Sequence, residues 1–374
     1  MDRFKIKGFY MAKKYITQER LKKNTLSDIF MLILEKKQTT RREIEYETGF
    51  SWGTVSGNVA LLIEKGYVKE EKSEQSGGAG RTTYLLKPTS DNVASLGLDI
   101  NRAGLCCEIV ALDSRVLKNF ESEFTALTQT ELLEQSESLC QAAIDWCAEN
   151  GLRIFSLGIA IQGTVNGRSG ISIHFPGIED WQPYSIKEHF AKKFSLPVYL
   201  GHDPKCMLLG EMYRKKYDDC VLIRIDRGIG MAISLDGKIL DDTGRFELGH
   251  TLAVLDGRRC SCGKKGCLEV YGTLSAISTA QNNIESLLKS PEKFKTELAE
   301  AGSYFSKALY NIYTLLKPQR LILTGKATVL DSFTENALSL LREENVDIVV
   351  DSKISAAYGV AVESAKSAIR SFNI

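Results

Sequence analysis

The apolar residues at the start of the chain are spaced as they are in helices. Those of residues 26–34 recur at intervals of three and four, which predicts an amphipathic helix. A second helix is predicted over residues 41–48, because Thr40 and Glu43 match a capping box and Gly49 is suited to end the helix. The chain therefore opens with two helices that are joined by a short loop.

A third helix is predicted over residues 52–65, with apolar residues on one side and small polar residues on its leading face. Two helices joined by a short turn that contains a glycine are typical of a helix-turn-helix. Small residues let the backbone enter the major groove, and hydroxyl and amide groups can contact phosphates and base edges. The DNA-binding candidates here are Arg41, Arg42, Ser51, Trp52, Thr54, Ser56 and Asn58.

Two strand-like runs, residues 67–70 and 82–86, flank a glycine-rich segment that contains Arg81. This pattern predicts a β-hairpin wing whose arginine can enter the minor groove. The alternative is a small helical bundle that contacts other proteins. Residues 1–23 are basic and weakly patterned, and are either an extra helix or a flexible arm. A linker is predicted over residues 87–90, which places a DNA-binding domain at 1–88 and a second domain at 89–374.

Strand and helix patterns alternate in the second domain, which predicts an α/β fold. The opening group of three strands recurs loosely around residues 220–240, where Asp236-Gly237 predicts a two-residue hairpin turn. Two similar halves with a cleft between them are therefore expected. The predicted strands are 94–100, 106–112, 117–124, 155–161, 198–200, 220–225, 231–235, 320–324 and 347–350, and the predicted helices are 131–150, 185–194, 204–214, 329–341 and 356–371.

Composition limits the class of protein. Hydrophobic residues make up 43% of the 374 and charged residues 25%, which is typical of a soluble globular chain and excludes a disordered polymer or a coiled-coil rod. No apolar run approaches the roughly 18–20 residues that span a bilayer, and the basic N-terminus lacks the apolar core of a secretion signal. The nine cysteines do not form a disulfide pattern. A cytoplasmic, reduced protein without a membrane partner is expected.

The overall charge of +1 conceals an asymmetry. Residues 1–90 hold 17 Lys and Arg against 11 Asp and Glu, whereas the remainder holds 31 against 36. A basic segment in front of an acidic body indicates that the front end faces a polyanion such as double-stranded DNA. The alternative is a solvated basic surface without a partner.

The sharpest chemical signal is one histidine followed by three closely spaced cysteines. His250 is followed by Cys260, Cys262 and Cys267, and glycines lie among the three cysteines. One imidazole and three thiolates match a closed tetrahedral zinc site, and four protein ligands leave no open position for catalysis. Structural Zn²⁺ is therefore predicted. The alternative is a set of buried cysteines that pack as small apolar residues.

Glu247-Leu248-Gly249-His250, followed by Cys260-x-Cys262-Gly263-x-x-Gly266-Cys267-Leu268-Glu269, resembles the signature of the ROK family. That family is named for its repressors, open reading frames and kinases. The segment in front of the α/β domain is similar to the winged helix-turn-helix of the family's regulators, which its sugar kinases lack. The resemblance implies an actin-like, ribonuclease-H-like domain of two lobes, with sugar and nucleotide sites in the cleft.

The family's kinases hold the phosphates of ATP with loops that this chain alters. A first loop of the form D-x-G-x-T keeps Asp99 but has Asn101 and Ala103 at the glycine and threonine positions. The second loop, roughly G-T-G-x-G in the kinases, begins here with Asp226 and Arg227. Backbone N–H groups reach phosphate oxygens best where no Cβ intervenes, and the carboxylate of Asp226 repels a polyphosphate. The resemblance therefore implies that the chain is not an enzyme.

The sugar side of the family's cleft is better preserved. Asp203 matches the catalytic base of the kinases and can still accept a hydrogen bond from a sugar hydroxyl, and His202 lies beside it. Glu247, His250 and Glu269 match the positions that hold sugar hydroxyls. If one nitrogen of His250 binds zinc, the other can face the sugar. The alternative roles of the three carboxylates are helix capping and surface ion pairing.

The leading hypothesis is a sugar-responsive transcriptional repressor that works as a homodimer or homotetramer. A small sugar or sugar phosphate would bind in the cleft and change the closure of the lobes, which would alter the affinity for a DNA operator. One alternative is a sugar kinase that has acquired a DNA-binding domain. The other is a DNA-binding protein that responds to no ligand.

Overall fold

The structure is a computed structural model that describes residues 18–73, 83–240, 245–277 and 284–371. The chain divides into two compact units. One consists of Met1–Pro88 together with Ile369–Ile374, and the other is Thr89–Ala368.

The described residues of the first unit form three helices and a two-stranded antiparallel sheet. The helix α1 begins at Gln18, within the segment that the sequence pattern left undecided. The capping box in front of α2 is present, because the Thr40 hydroxyl accepts from the backbone N–H of Glu43 at 3.2 Å and the Glu43 carboxylate accepts from that of Thr40 at 2.8 Å. The elements are α1 (Gln18–Lys36), α2 (Arg41–Thr48), α3 (Trp52–Glu64), β1 (Val68–Lys72) and β2 (Tyr84–Pro88).

The core of this unit is formed by the apolar faces of the three helices together with β2. Its fully buried side chains include Ile33, Ile44, Val59 and Leu86. The strands β1 and β2 pair from Val68↔Pro88 to Lys72↔Tyr84, so the expected linker at 87–90 begins with two strand residues. Arg81, at the expected wing tip, lies outside the described residues.

The second unit contains two five-stranded sheets with the same plan, β5-β4-β3-β6-β9 and β12-β11-β10-β13-β14. In each sheet three consecutive strands are antiparallel and two further strands are parallel. This repeat confirms the predicted α/β class and the two similar halves, which we call the first and second lobes.

The first lobe runs to β9, and β7 and β8 form a small hairpin that the sequence pattern did not predict. Its elements are β3 (Val93–Asn101), β4 (Gly104–Ala111), β5 (Val116–Ser122), α4 (Gln129–Glu149), β6 (Arg153–Ile161), β7 (Thr164–Asn166), β8 (Ile171–His174), α5 (Ile186–Phe194) and β9 (Val198–His202). Every residue of β3 is buried, as expected for a strand that is covered on both faces.

The remaining helices and strands follow β9. The predicted hairpin turn is present, because Leu235 pairs with Lys238 and both residues between them have positive φ, 50° at Asp236 and 69° at Gly237. These elements are α6 (Asp203–Lys215), β10 (Cys220–Ile225), β11 (Ile229–Leu235), β12 (Lys238–Ile239), α7 (Leu274–Ile277), α8 (Ile284–Lys289), α9 (Lys295–Leu316), β13 (Arg320–Thr324), α10 (Asp331–Ala337), β14 (Asp347–Val350) and α11 (Ala356–Arg370).

Two helices differ from the sequence-based expectation. The 22-residue helix α9 was not predicted, although Leu298, Phe305 and Leu309 are fully buried at helical spacing. The helix expected over 329–341 is shorter, because Leu330 is extended (φ −101°, ψ 100°) and separates a short 3-10 turn from α10. Neither α9 nor any other described helix is long and apolar enough to cross a membrane.

The helix α11 packs unusually close to the first lobe's sheet. A Cβ at Gly158 of β6 would overlap the backbone carbonyl of Val360, so only glycine allows this approach. A buried pair of hydroxyls, Ser156 and Ser364, joins the same strand and helix at 2.8 Å. The close packing ties α11 to the sheet whose strand ends form one wall of the cleft.

Candidate functional site

A cleft of about 670 Å³ lies between the two lobes of the second unit. The segments that follow β3, β9 and β10 line it, together with the loop that carries the cysteines. The structure brings all the predicted sugar-binding residues together there, since the lining includes His202, Asp203, Glu247, His250 and Glu269.

A buried arginine occupies the base of the cleft. The Arg224 guanidinium donates from Nη1 to the Asp203 carboxylate at 2.8 Å and from Nε to the Asp226 carboxylate at 2.6 Å. Asp203 follows the last strand of the first lobe, whereas Arg224 and Asp226 belong to the second. The guanidinium therefore forms an ion pair across the cleft, and removal of any one member would strand buried charge. The sequence reasoning missed Arg224, because it lies in an otherwise apolar strand and nothing nearby in the sequence indicates which carboxylates it pairs with.

A third carboxylate, Asp99, lies close to this cluster. Burial raises the pKa of Asp99 to about 7, against the opposing effect of the Arg224 charge. The Asn101 amide donates to Asp99 Oδ2 at 2.8 Å, whereas Oδ1 has no hydrogen-bond partner in the described parts of the chain. The surroundings of Asp99 thus favour its protonated form at pH values at which most carboxyl groups have lost their proton.

Three backbone amides after β3 and β13 donate to side chains of this chain. The N–H of Ala103 donates to the Asn101 side chain at 2.8 Å, and that of Arg102 donates to the Gln162 side chain at 3.0 Å. Across the cleft, the N–H of Lys326 donates to the Asp226 carboxylate at 2.5 Å. A phosphate that used these amides would first have to break a hydrogen bond at each one.

The cleft is also lined by carboxylates and imidazole that do not bond Arg224. The Glu269 carboxylate packs against Gly228 and Gly249, at each of which a Cβ would lie 3.0 Å from Glu269 Oε2. Glu247 is exposed and its carboxylate lies 4.0 Å from His250 Nε2. The cleft therefore contains carboxylate oxygens that can accept hydrogen bonds from a ligand.

His250, Cys260, Cys262 and Cys267 form a cluster whose ligand atoms all lie within 4.8 Å of one another. His250 Nδ1 lies 3.7 Å from Cys260 Sγ, and Cys262 Sγ lies 3.6 Å from Cys267 Sγ. The backbone N–H of Lys264 holds the pKa of the Cys262 thiol below its usual range. These four side chains could hold a metal ion.

The DNA-binding candidates lie in the first unit, and several of their side chains already have local partners. Ser51 caps α3, because its hydroxyl accepts from the N–H of Thr54 at 3.3 Å and lies 2.9 Å from the Thr54 hydroxyl. The Asn58 amide donates to the Thr54 carbonyl at 2.8 Å, and Arg41 pairs with Glu70. Some of the residues that were predicted to contact DNA therefore also stabilise the helices.

Three other candidates remain available at the surface. Arg42, Trp52 and Ser56 line a shallow depression of the first unit, which Tyr84 shares. Trp52 is 48% exposed and Tyr84 is 49% exposed, an unusual display of aromatic surface for a small unit. The sequence reasoning missed Tyr84, because a tyrosine in a short strand is usually part of a core.

Comparison with known proteins places the second unit in one family. The family model described as ROK family matches residues 95–364. The N-acetylglucosamine repressor of Shigella flexneri is 24% identical over 330 residues, covering 81% of this chain and 80% of the relative.

Two solved structures share the fold. A ROK family transcriptional regulator, a homologue of an Escherichia coli protein, superposes with a TM-score of 0.78 at 20% identity, covering 94% of this chain and 97% of that one. A ROK family glucokinase from Streptomyces griseus, in complex with glucose and AMPPNP, superposes with a TM-score of 0.61 at 20% identity. It covers 75% of this chain and 100% of its own length, so a quarter of the present chain has no counterpart in it.

The raised pKa of Asp99 predicts a pH-dependent effect of Asp99→Asn. Between the ordinary value of 3.8 and about 7, the folded protein keeps a proton on Asp99 that the unfolded chain has lost. The stability that Asp99 contributes is therefore lost as the pH rises through this interval. We expect Asp99→Asn to raise Tm by several degrees at pH 8, since about 1 kcal/mol corresponds to roughly 2–4 °C here.

At pH 4 the substitution should raise Tm much less than at pH 8, because the unfolded chain then still keeps part of this proton. Asp180→Asn, at an exposed position, is the control and should change Tm by a similar small amount at both pH values. If Asp99→Asn destabilised the chain at pH 8 as much as at pH 4, or more, the raised pKa of Asp99 would be contradicted.

Proposed function

The chain belongs to the ROK family, and on that premise we propose that it is a DNA-binding transcriptional repressor that responds to a small sugar or sugar phosphate in the cleft. The observation that carries the proposal is a helical first unit, in a chain of which a ROK glucokinase matches three quarters, combined with backbone amides near the cleft that already donate to side chains of the chain. Ligand binding would favour one degree of lobe closure and thereby change the affinity for an operator.

The first unit supports the DNA-binding half of this proposal. The helices α2 and α3 with the intervening turn have the arrangement of a helix-turn-helix, and β1 with β2 supplies the base of a wing. Arg42 is exposed where a phosphate contact would be made, and Trp52 and Ser56 lie on the leading turn of α3. In a homodimer or homotetramer, two copies of α3 would read two half-sites of double-stranded DNA.

Substitution in this unit should separate phosphate contacts from base contacts. With an operator selected from random DNA, Arg42→Ala should weaken specific and non-specific binding alike and lower the salt slope by about 1. Ser56→Ala should weaken operator binding by about 1–3 kcal/mol and leave non-specific binding unchanged. Fluorescence anisotropy at several salt concentrations measures both effects. Arg115→Ala, in the second unit, is the control, and failure of the unaltered chain to bind any DNA would refute this half of the proposal.

The cleft supports binding of a sugar without catalysis. Asp203, which would take the proton of a sugar hydroxyl in a kinase, is bonded to Arg224 and can still accept a hydrogen bond. Glu247 and Glu269 offer further acceptors within the same cleft, and the imidazoles of His202 and His250 offer further polar groups. The alternative of a sugar kinase fused to a DNA-binding unit is favoured only by the shared fold.

A coupled assay and a binding assay together decide between these functions. With Mg-ATP and a panel of aldoses, we expect no ADP release above background, because the loop amides and Asp203 are already bonded. At least one sugar or sugar phosphate should change operator affinity several-fold in the anisotropy assay. Phosphorylation of a sugar at an enzyme-like rate would support the sugar kinase instead. Operator binding that is not changed by any ligand would support a DNA-binding protein without an effector.

We infer that the cysteine cluster holds structural zinc. A tetrahedral ion with Zn–S bonds of about 2.3 Å separates its ligands by roughly 3.8 Å, close to the 3.6 Å and 3.7 Å found here. One imidazole and three thiols complete the coordination, so zinc would fix the loop and not supply a reactive water. Since His250 Nδ1 faces the cysteines and Nε2 faces Glu247, the ion would also orient the imidazole toward the sugar.

Elemental mass spectrometry of the purified chain should find one zinc ion per molecule. Cys262→Ser should lower the zinc content and reduce Tm, because the loop then loses one of its four ligands. Cys106→Ser, a half-buried thiol outside the cluster, should keep the zinc and is the control. The inference would be contradicted if the purified chain contained no zinc and did not take it up on incubation with zinc. In that case a chelator would leave its Tm unchanged.

A further inference from the structure

The three cysteines of the proposed zinc site differ in how open they are to solvent. Cys262 is exposed, whereas Cys260 and Cys267 are buried. The neighbouring Gly263 has open space where a Cβ would lie, while a Cβ at Gly266 would overlap a backbone carbonyl. Small molecules in solution can therefore reach one of the three thiols directly.

The exposed cysteine has a second thiol within reach. Cys262 Sγ lies 3.6 Å from Cys267 Sγ, across a short loop of the chain. Gly263 and Gly266 in this loop have positive φ, 86° and 75°, which glycine adopts without strain. A disulfide bond of about 2.0 Å would require the two sulfurs to approach each other by roughly 1.6 Å. Rotation of the exposed Cys262 side chain can supply a shift of this size.

Positive charge surrounds the exposed cysteine. Arg259, Lys264 and Lys265 are all exposed and lie close to Cys262 in the chain, and the segment 257–268 contains no acidic residue. Neighbouring cations favour the thiolate form of a cysteine, and the thiolate is the form that attacks an electrophilic oxidant. Exposure, thiolate character and a nearby second thiol are the properties of a cysteine that senses oxidants.

We infer that Cys262 and Cys267 form a reversible redox switch, in which a peroxide joins them as a disulfide and the zinc ion is released. This inference rests on the zinc site of the proposed function. The Cys262 thiolate attacks one peroxide oxygen, the O–O bond breaks, and the hydroxide that leaves takes up a proton. The Cys267 thiolate then attacks the sulfur of the sulfenic acid, so that the disulfide forms and a second hydroxide leaves and is protonated.

The electrons of this reaction balance. The two thiolates together lose two electrons, and the peroxide O–O bond accepts them, so hydrogen peroxide ends as two molecules of water. Two of the four zinc ligands are consumed in the disulfide. The remaining imidazole and thiolate bind zinc too weakly to retain it, because metal affinity depends on the number of deprotonated ligands.

Release of zinc would also change the wall of the cleft. His250 Nδ1 lies 3.7 Å from Cys260 Sγ, and the same imidazole lines the cleft. Glu269 follows Cys267 closely in the chain and lines the cleft as well. Both side chains would lose a fixed anchor once the disulfide had replaced the metal, so oxidation at the surface would loosen residues that face the cleft.

The test uses reduced, zinc-loaded, full-length chain treated with hydrogen peroxide. A chromogenic chelator follows the zinc that is released, and mass spectrometry of unreduced peptides identifies the disulfides. We expect one zinc ion for each Cys262–Cys267 disulfide, and recovery of zinc content and Tm after dithiothreitol and added zinc. Hydrogen exchange of the backbone amides of residues 247–250 should become roughly tenfold faster in the oxidised chain, because the anchor of His250 is then lost.

Two variants show whether the exposed thiolate is the reactive group. Cys262→His keeps a fourth zinc ligand but removes this thiolate, so peroxide should release zinc roughly tenfold more slowly than from the unaltered chain. Cys106→Ser, which removes a half-buried thiol outside the cluster, should release zinc at the unaltered rate. If Cys262→His does not hold zinc, the disulfide map of the unaltered chain decides the question.

The inference fails if zinc stays bound during oxidation, or if zinc is released with a different disulfide or only with irreversible sulfinic acids. It also fails if zinc leaves a zinc-loaded Cys262→His variant as fast as it leaves the unaltered chain. In each of these cases the zinc site of the proposed function still stands, because the starting protein held the metal. A chain that cannot be loaded with zinc would refute both.

Discussion

The ion pairs of Arg224 determine what the cleft can do. Its guanidinium lies at the base of the cleft and bonds a carboxylate from each lobe, Asp203 and Asp226. A buried charge has to be paired, so the three groups constrain one another and join the lobes at a fixed point. The same interaction occupies one carboxylate oxygen of Asp203 and one of Asp226 and neutralises charge at the base of the cleft.

The surrounding loops complete this arrangement. Asn101, Gln162 and Asp226 each accept a hydrogen bond from a backbone amide near the cleft, so these three amides are satisfied by the protein. Glycines in such loops would leave the amides open to a ligand, whereas side chains that can reach back close them. The lining of the cleft therefore combines carboxylates and imidazoles with arginine side chains.

Much of the architecture could be predicted from local pattern. The described helices of the first unit, the capping box of Thr40 and Glu43, and the recurrence of a three-strand opening in the two lobes follow from hydrophobic spacing and turn residues. The helix α9 was missed although its apolar spacing is regular. The expected helix at 329–341 was too long, because the extended backbone of Leu330 is set by packing and not by the preferences of neighbouring residues.

By itself, the sequence determined the α/β class, the family signature and the set of one histidine and three cysteines, because each depends on residue types at short spacing. Only the tertiary structure decided which groups meet across the cleft. Arg224 lies 21 positions from Asp203, and Lys326 lies 100 positions from the carboxylate that accepts its N–H. Pairing of buried charges and hydrogen bonds acts through distance in space, so residues far apart in the chain became partners only when the two lobes were formed.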